Sequence, residues 1–308
     1  MPHGGSGERS APVTPHVWEA SELLGSSRVM CSVRAQLARL AAVPFGVRLE
    51  GGTGSGKGVA ARLLHAWSLR AHAPFVACNL NALPGGLEVA ELVGHGKGSF
   101  TGAISDSPGA FEAAHGGTLF LDEIATASGS VQLALLQLID EKTVRRVGEQ
   151  RARLVDVRLV FATNADLEAA VVRGDFRRDL YYRLPQIAVR MPSLKEHKED
   201  IPELVGAILM QKARDIGTRV PELPQPDLDR LMDHDWPGNV RELDRVLEYF
   251  VTFHCLPALG SAKWTNWRSR LTDTLERNGG NRTATARELG VSRKTLHQEL
   301  KRRSASGG

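Results

Sequence analysis

The sequence predicts a mixed α/β domain built on a parallel sheet, followed by a small all-helical subdomain and a C-terminal helix-turn-helix. Three observations lead there. A short apolar run, a glycine-rich loop and an amphipathic stretch follow one another over residues 45–66. Apolar strand-like runs then alternate with helix-like stretches as far as Asn164, the order that yields parallel strands with ligands at their carboxyl ends. Finally, the basic surplus is confined to the end of the chain. Residues 261–308 hold eleven Lys and Arg against four Asp and Glu, a surplus of seven, so the rest of a chain of net charge +4 carries −3. A basic module on a near-neutral body points to nucleic acid.

Length and composition bound the class. At 308 residues there is room for two domains, or for one large domain with an appendage. Hydrophobic content of 42% and charged content of 24% are ordinary for a globular protein. No segment approaches the roughly eighteen uninterrupted apolar residues that a membrane span needs. Residues 1–15 are polar and rich in Gly, Ser and Pro, unlike a signal peptide. Cys31, Cys78 and Cys255 are scattered and odd in number, which argues against a disulfide framework or a zinc site. A reducing cytoplasm is the expected location.

In chain order, residues 1–20 read as a flexible leader and 21–40 as a pair of short helical stretches. Residues 45–50 form a short buried strand that runs into Gly51-Gly52-Thr53-Gly54-Ser55-Gly56-Lys57, and a helix follows. Strand, glycine loop and helix in this order make a phosphate-binding P-loop. Glycines let successive N–H groups converge on an anion, the helix N-terminus adds partial positive charge, and Lys57 reaches the β- and γ-phosphates. The Ser or Thr that commonly follows the lysine and touches Mg²⁺ is Gly58 here. Residues 74–79 read as a second buried strand, 99–103 as a loop within helical surroundings, and 117–123 as a strand ending in two acids. An amphipathic helix is predicted over 131–140, and another strand over 154–164. Strand signals stop at Ile201, and residues 202–253 are helical with punctuating prolines.

Asp122 and Glu123 end an apolar strand downstream of the P-loop. In nucleotide hydrolysis one such acid helps hold Mg²⁺ and the other polarises the attacking water; Asp122 is assigned the first role and Glu123 the second. Asn164 closes the next strand with an amide able to sense a γ-phosphate or simply to form a turn. Arg177 and Arg183 lie close together in a basic helical stretch. In the tail, an amphipathic run over 267–278 is broken by Gly279-Gly280. A short helix over 282–289, a turn at Gly290 and an N-cap at Ser292 complete a helix-turn-helix, with Ala286, Leu289, Val291 and Leu296 as its small core. Its second helix is expected to present Arg293, Lys294, Thr295, His297 and Gln298 to the major groove, while Lys301, Arg302 and Arg303 contact phosphates.

These motifs resemble the bacterial enhancer-binding proteins, the AAA+ ATPases that activate the sigma-54 form of RNA polymerase. The most diagnostic stretch is Gly98-Ser99-Phe100-Thr101-Gly102-Ala103, where the family carries a GAFTGA loop that contacts sigma-54; Ser99 replaces its alanine. An aromatic set among small residues and glycines also reads as an exposed, mobile tip suited to a partner. The resemblance makes residues 117–124 the Walker B segment, and places Asn79 where an asparagine restrains the catalytic glutamate. Asn164 takes the sensor I position, and Arg177 and Arg183 the two arginine-finger positions. Within Trp236-Pro237-Gly238-Asn239-Val240-Arg241-Glu242-Leu243, Arg241 becomes the phosphate-facing arginine of sensor II. The end of the chain is similar to the family's Fis-type domain. Gly58 stands where the family usually has glutamate, and Asn81 and Pro185 also depart from its pattern.

The resemblance implies an AAA+ P-loop parallel sheet sandwich with a helical lid subdomain and a C-terminal all-α helix-turn-helix domain. The implied boundaries are 21–190 for the ATPase subdomain, 191–255 for the lid, 256–263 for a linker and 264–308 for the DNA-binding domain. It further implies ATP and Mg²⁺ as cofactors, enhancer duplex DNA and sigma-54 polymerase as partners, and a homo-oligomer, a hexamer in the family. Many relatives carry a receiver or sensing domain ahead of the ATPase. The short leader here therefore raises the expectation of a regulatory protein acting in trans. Gly58 and Ser99 motivate a second reading, a nucleotide-binding DNA regulator, repressor or partner subunit, with little ATPase activity of its own. A helicase loader or protein unfoldase is disfavoured by the Phe100 loop and the Fis-like end.

Overall fold

A computed structural model describes residues 23–257, 259, 267–289, 293, 296, 297 and 300. Nine strands occur among them: β1 (Val47–Glu50), β2 (Phe75–Asn79), β3 (Gly94–His95), β4 (Ser107–Pro108), β5 (Thr118–Asp122), β6 (Thr143–Arg145), β7 (Ala152–Leu154), β8 (Arg158–Thr163) and β9 (Ala188–Arg190). Five build the central sheet in the order β2-β5-β8-β1-β9. Every neighbouring pair in it is parallel. Side chains alternate across the sheet and both faces are covered, so the inner strands are apolar on both sides. Leu119, Leu121 and Phe161 enter one core with Phe111, Leu135 and Leu180. Phe120, Val160 and Leu49 enter the other with Leu37, Leu63 and Leu64.

The lid packs helices Ile201–Asp215, Gln225–Asp233 and Asn239–Phe253 around Leu231, Trp236, Leu247 and Phe250. Prolines sit in the first turns of the first two, where a missing N–H costs nothing. The buried Trp236 indole N–H donates to the Leu231 carbonyl at 2.9 Å, which allows this polar ring into an apolar core. No helix among the described residues is long and apolar enough to cross a membrane.

Several expectations need correction. The pair of helices over 21–40 is one helix, Arg28–Ala41, capped by the Ser27 hydroxyl accepting from Met30 N–H. Residues 23–26 stay non-helical because their backbone is claimed elsewhere. Gly25 N–H donates to Glu203 Oε1 and Ser27 N–H to Asp200 Oδ1, and a Cβ on Gly25 would stand 2.5 Å from Asp200 Oδ2. The strand over 74–79 is a half-exposed edge rather than a buried strand, since only β5 pairs with it. The apolar run 154–164 splits in two. Val155 N–H still bonds Lys142 O in the β6–β7 hairpin, Asp156 turns out to Arg70, and β8 begins at Arg158. The 99–103 loop is carried by the two-residue hairpin β3–β4.

In the tail, helices Trp267–Arg277 and Arg282–Leu289 form as expected, separated by Gly279 and Gly280 at φ +57° and +78°. Leu271, Ala286 and Leu296 are buried, with Leu289 partly so. The lid's Tyr249 hydroxyl donates to the Leu289 carbonyl at 3.1 Å. Val291, Ser292, Lys294, Thr295, Gln298, Lys301, Arg302 and Arg303 lie outside the described residues.

Candidate functional site: a nucleotide cleft under the lid

The loop between β1 and the helix Lys57–Ala66 turns through Gly54 and Gly56, at φ +78° and +90°, conformations that glycine adopts without strain. A Cβ on Gly54 would also stand 2.2 Å from the Gly238 carbonyl, so glycine lets the lid approach this closely. Lys57 opens the helix and is only 6% exposed. Its ammonium donates to the carbonyls of Gly51 (2.7 Å) and Gly52 (3.2 Å). Burial holds its pKa below the ordinary lysine value; the Glu123 and Asp122 carboxylates oppose that shift, and Arg241 adds to it. These four side chains border one cavity of about 480 Å³ between sheet and lid.

Asp122 ends β5, and its Oδ1 accepts the Glu123 N–H at 3.0 Å. Glu123 itself is left-handed (φ +57°), and its buried Oε2 has no hydrogen-bond partner among the described residues. A strained non-glycine residue and an orphaned buried oxygen each cost about 1–3 kcal/mol. Such features persist where function needs them. Gly58 lies one residue into the helix on the same cavity, and a Cβ there would meet nothing within 4 Å.

Asn164 leaves β8 with its amide donating to Thr53 Oγ1 at 3.1 Å, which ties this strand to the P-loop. Asn79 lies abreast of Asp122 in the β2–β5 register, but its carboxamide oxygen is taken by Asn81 N–H at 3.0 Å and not turned to Glu123. Arg177 and Arg183 face outward. They pair with Asp179 (2.8 Å) and Asp140 (3.2 Å), with side chains 46% and 59% exposed, and neither borders the cavity. The Arg177 pair holds the Asp179 carboxyl below the usual carboxylate range.

The Gly98–Ala103 loop is closed by Gly98 N–H on Ala103 O and Ala103 N–H on Phe100 O. Phe100 is half-buried, edge-on to His95 with ring centroids 4.9 Å apart, so the apolar tip is less bare than its sequence implies. Thr101 and Gly102 are exposed, and Ile104 beyond them is 84% exposed. The β6–β7 hairpin buttresses this loop. Gly96 N–H bonds Val147 O, and a Cβ on Gly148 would lie 2.7 Å from the Ser99 Cβ. In the tail, Arg293 and His297 are exposed; Arg293 donates to Thr283 Oγ1, and Arg282 donates to His297 Nδ1 at 2.8 Å.

Sequence reasoning assigned no role to Asn239, yet its side chain bridges lid and P-loop. Nδ2 donates to Thr53 O at 2.9 Å, and Oδ1 accepts Leu194 N–H at 2.8 Å. The available signal was local. Asn after Pro-Gly is the non-glycine residue most at ease at positive φ, and Asn239 stands at +51°.

A family model described as the sigma-54 interaction domain matches residues 23–190, one for the AAA+ ATPase lid domain matches 195–261, and one for bacterial regulatory proteins of the Fis family matches 268–302. Response regulator protein PilR of Pseudomonas aeruginosa is 41% identical over 309 residues, covering 92% of this chain and 69% of PilR. Transcriptional regulatory protein ZraR of Escherichia coli is 40% identical over 301 residues, covering 91% and 68% respectively. The crystal structure of NtrX from Brucella abortus in complex with ADP superposes with a TM-score of 0.71 at 32% identity, covering 91% of this chain and 68% of that one. NtrX in complex with ATP gives 0.70, with the same identity and coverage. A P-loop cleft under an AAA+ lid, a glycine-flanked Phe-Thr loop and a Fis-type tail thus occur together, and the chain belongs to the sigma-54-dependent transcriptional activators of the AAA+ family.

Proposed function

We propose that this activator binds ATP and Mg²⁺ in the cleft between sheet and lid and hydrolyses ATP to convert the closed sigma-54 polymerase–promoter complex to the open one. The observation that carries the reading is the convergence of Lys57, Asp122, Glu123 and Arg241 on one cavity, with the buried Glu123 Oε2 left without a hydrogen-bond partner among the described residues. Lys57 and Arg241 hold phosphate oxygens, and Glu123 orients water and accepts its proton. Mg²⁺ neutralises phosphate charge when bound. Asp122 suits it as one carboxylate alongside phosphate oxygens and water, the usual way this ion is held. Among the described residues no cluster of three or more His, Cys, Asp or Glu offers an all-protein cage. Asn164 reports the γ-phosphate through the P-loop, and Asn79 restrains Glu123 only once its carboxamide turns away from Asn81 N–H.

Arg177 and Arg183 point away from their own cavity, which supports a site completed by a neighbouring copy. Head-to-tail contacts of that kind close into a ring, a hexamer in this reading. Residues 98–103 engage sigma-54 in the cytoplasm, while Ser292, Arg293, Lys294, Thr295, His297, Gln298, Lys301 and Arg302 read and grip enhancer DNA. The second reading, a nucleotide-binding regulator that scarcely hydrolyses ATP, draws on Gly58, which presents no ligand to the cavity. Phosphate release by the concentrated, purified chain separates the two: steady turnover supports the activator, and none at any concentration favours the alternative.

Two variants test the outer parts. Thr101→Ala removes one exposed hydroxyl and is expected to leave ATPase activity within about twofold while abolishing open-complex formation. Retained activation in a sigma-54 transcription assay would refute the loop's role. Deleting residues 261–308 is expected to eliminate site-specific DNA binding, by roughly the 10³-fold or more that separates specific from non-specific affinity, with ATPase activity intact. Specific retardation of DNA by the truncated chain would place the reading surface elsewhere.

A further inference from the structure

We propose that Asn239 is a positioning residue for nucleotide binding: it sets the P-loop's peptide plane from the lid side, so the loop's grip on phosphate depends on the lid being docked. The inference rests on the nucleotide reading above and adds a residue and a mechanism to it.

Asn239 is 3% exposed and starts the helix Asn239–Phe253 at a left-handed φ of +51°. Its amide orientation is dictated by its partners. Leu194 N–H can only donate, so it faces Oδ1, and the Thr53 carbonyl can only accept, so it faces Nδ2. One side chain thereby joins three segments far apart in sequence: the P-loop, the start of the lid, and the helix that carries Arg241. The adjacent Val240 N–H adds a second bond, to Gly54 O at 3.1 Å. Two consecutive P-loop carbonyls, those of Thr53 and Gly54, are therefore held by two consecutive lid residues.

The consequence for the loop follows from peptide geometry. The Thr53 C=O and Gly54 N–H share one planar trans peptide and point in opposite directions. A carbonyl drawn to the lid turns the Gly54 N–H away from it, and that N–H has no protein acceptor among the described residues. Free N–H groups oriented together are what a phosphate nest consists of. Asn164 fixes the same residue from the opposite side through Thr53 Oγ1 at 3.1 Å, so Thr53 is clamped between the strand ends and the lid. Arg241 is two residues beyond Asn239 on the first turn of the same helix. The contact that orients the loop and the cation that meets the phosphate therefore move together.

The test compares the full chain with Asn239→Asp and Asn239→Gly, using ATP in equilibrium titration and in steady-state turnover. Asp keeps an acceptor for Leu194 N–H but turns an oxygen toward Thr53 O. Gly keeps the left-handed backbone and loses both bonds. For both variants the expected result is an ATP Kd and KM raised about tenfold, equivalent to about 1.4 kcal/mol, with kcat reduced less than threefold. The Asp variant sets an unpaired carboxylate oxygen against Thr53 O at a buried site, so it is expected to unfold somewhat below the parent, and binding is compared at temperatures where both are folded. A purely structural role would lower the unfolding temperature and leave Kd unchanged at temperatures where the variant is folded. That result, or parental Kd and KM in the Asp variant, would overturn the proposal. A parent chain that binds no ATP would remove the nucleotide reading itself, an outcome distinct from tight and equal binding by parent and variants.

Discussion

Replacing Lys57 with alanine is expected to abolish ATP binding in any practical assay. The ammonium is the cation seated inside the loop, 2.7 Å from Gly51 O and 3.2 Å from Gly52 O, and it faces Asp122 and Glu123 across the cavity. Without it, a polyphosphate would meet two carbonyls and two carboxylates with Arg241 as the remaining cation among the loop, strand-end and sensor residues. A charge-assisted hydrogen bond contributes about 1.5–3 kcal/mol, so losing two raises Kd by roughly 10²- to 10⁴-fold. The helix N-terminus still offers its N–H groups, and these together with Arg241 account for the residual affinity. Titration with a fluorescent ATP analogue checks this, and unchanged affinity would refute the P-loop assignment. The variant should fold normally, because it removes a buried cation whose charged form burial already disfavours.

Glu123→Gln is the second large effect, and it separates binding from chemistry. The replacement has the same shape, and its amide sits where the unpartnered Oε2 is now buried. It can orient water but cannot accept a proton, so kcat should fall by about 10²- to 10⁴-fold, the usual contribution of a general base. ATP affinity near neutral pH should stay within about threefold of the parent. Normal phosphate release by the variant would contradict the role assigned to Glu123. A pH consequence follows with its sign. The Glu123 carboxylate is the strongest influence raising the Lys57 pKa against burial, so neutralising it lowers that pKa further. As pH rises, the variant should lose ATP affinity at a lower pH than the parent.

Much of this site was legible from the chain alone. Gly51–Lys57 and Asp122-Glu123 are short-range patterns, each set by the backbone freedom of glycine or by an apolar strand ending in acids. The helix-turn-helix was readable for the same reason, since Gly279-Gly280 and the apolar positions Ala286 and Leu289 act over a few residues. The hairpin β6–β7 and the strand β9 were missed. Each is three residues per strand, too short for a period-two pattern to stand out, and β9 is defined only by pairing with β1 across the sheet. The edge position of β2 was equally hidden, because Phe75–Asn79 is as apolar as a strand covered on both faces.

Local chemistry thus determined a glycine-rich P-loop, an apolar strand closed by paired acids and a C-terminal helix-turn-helix. Tertiary structure alone decided how those parts meet. Asn164 and Asn239 reach Thr53 across 111 and 186 residues of chain, and no window of sequence contains either contact. The outward turn of Arg177 and Arg183 and the orphaned oxygen of Glu123 are likewise products of the packed sheet and lid. A residue's type limits which bonds it can make, but the assembled fold selects the partner, because it decides which groups stand within reach and, at the buried Asn239, removes the water that would otherwise compete.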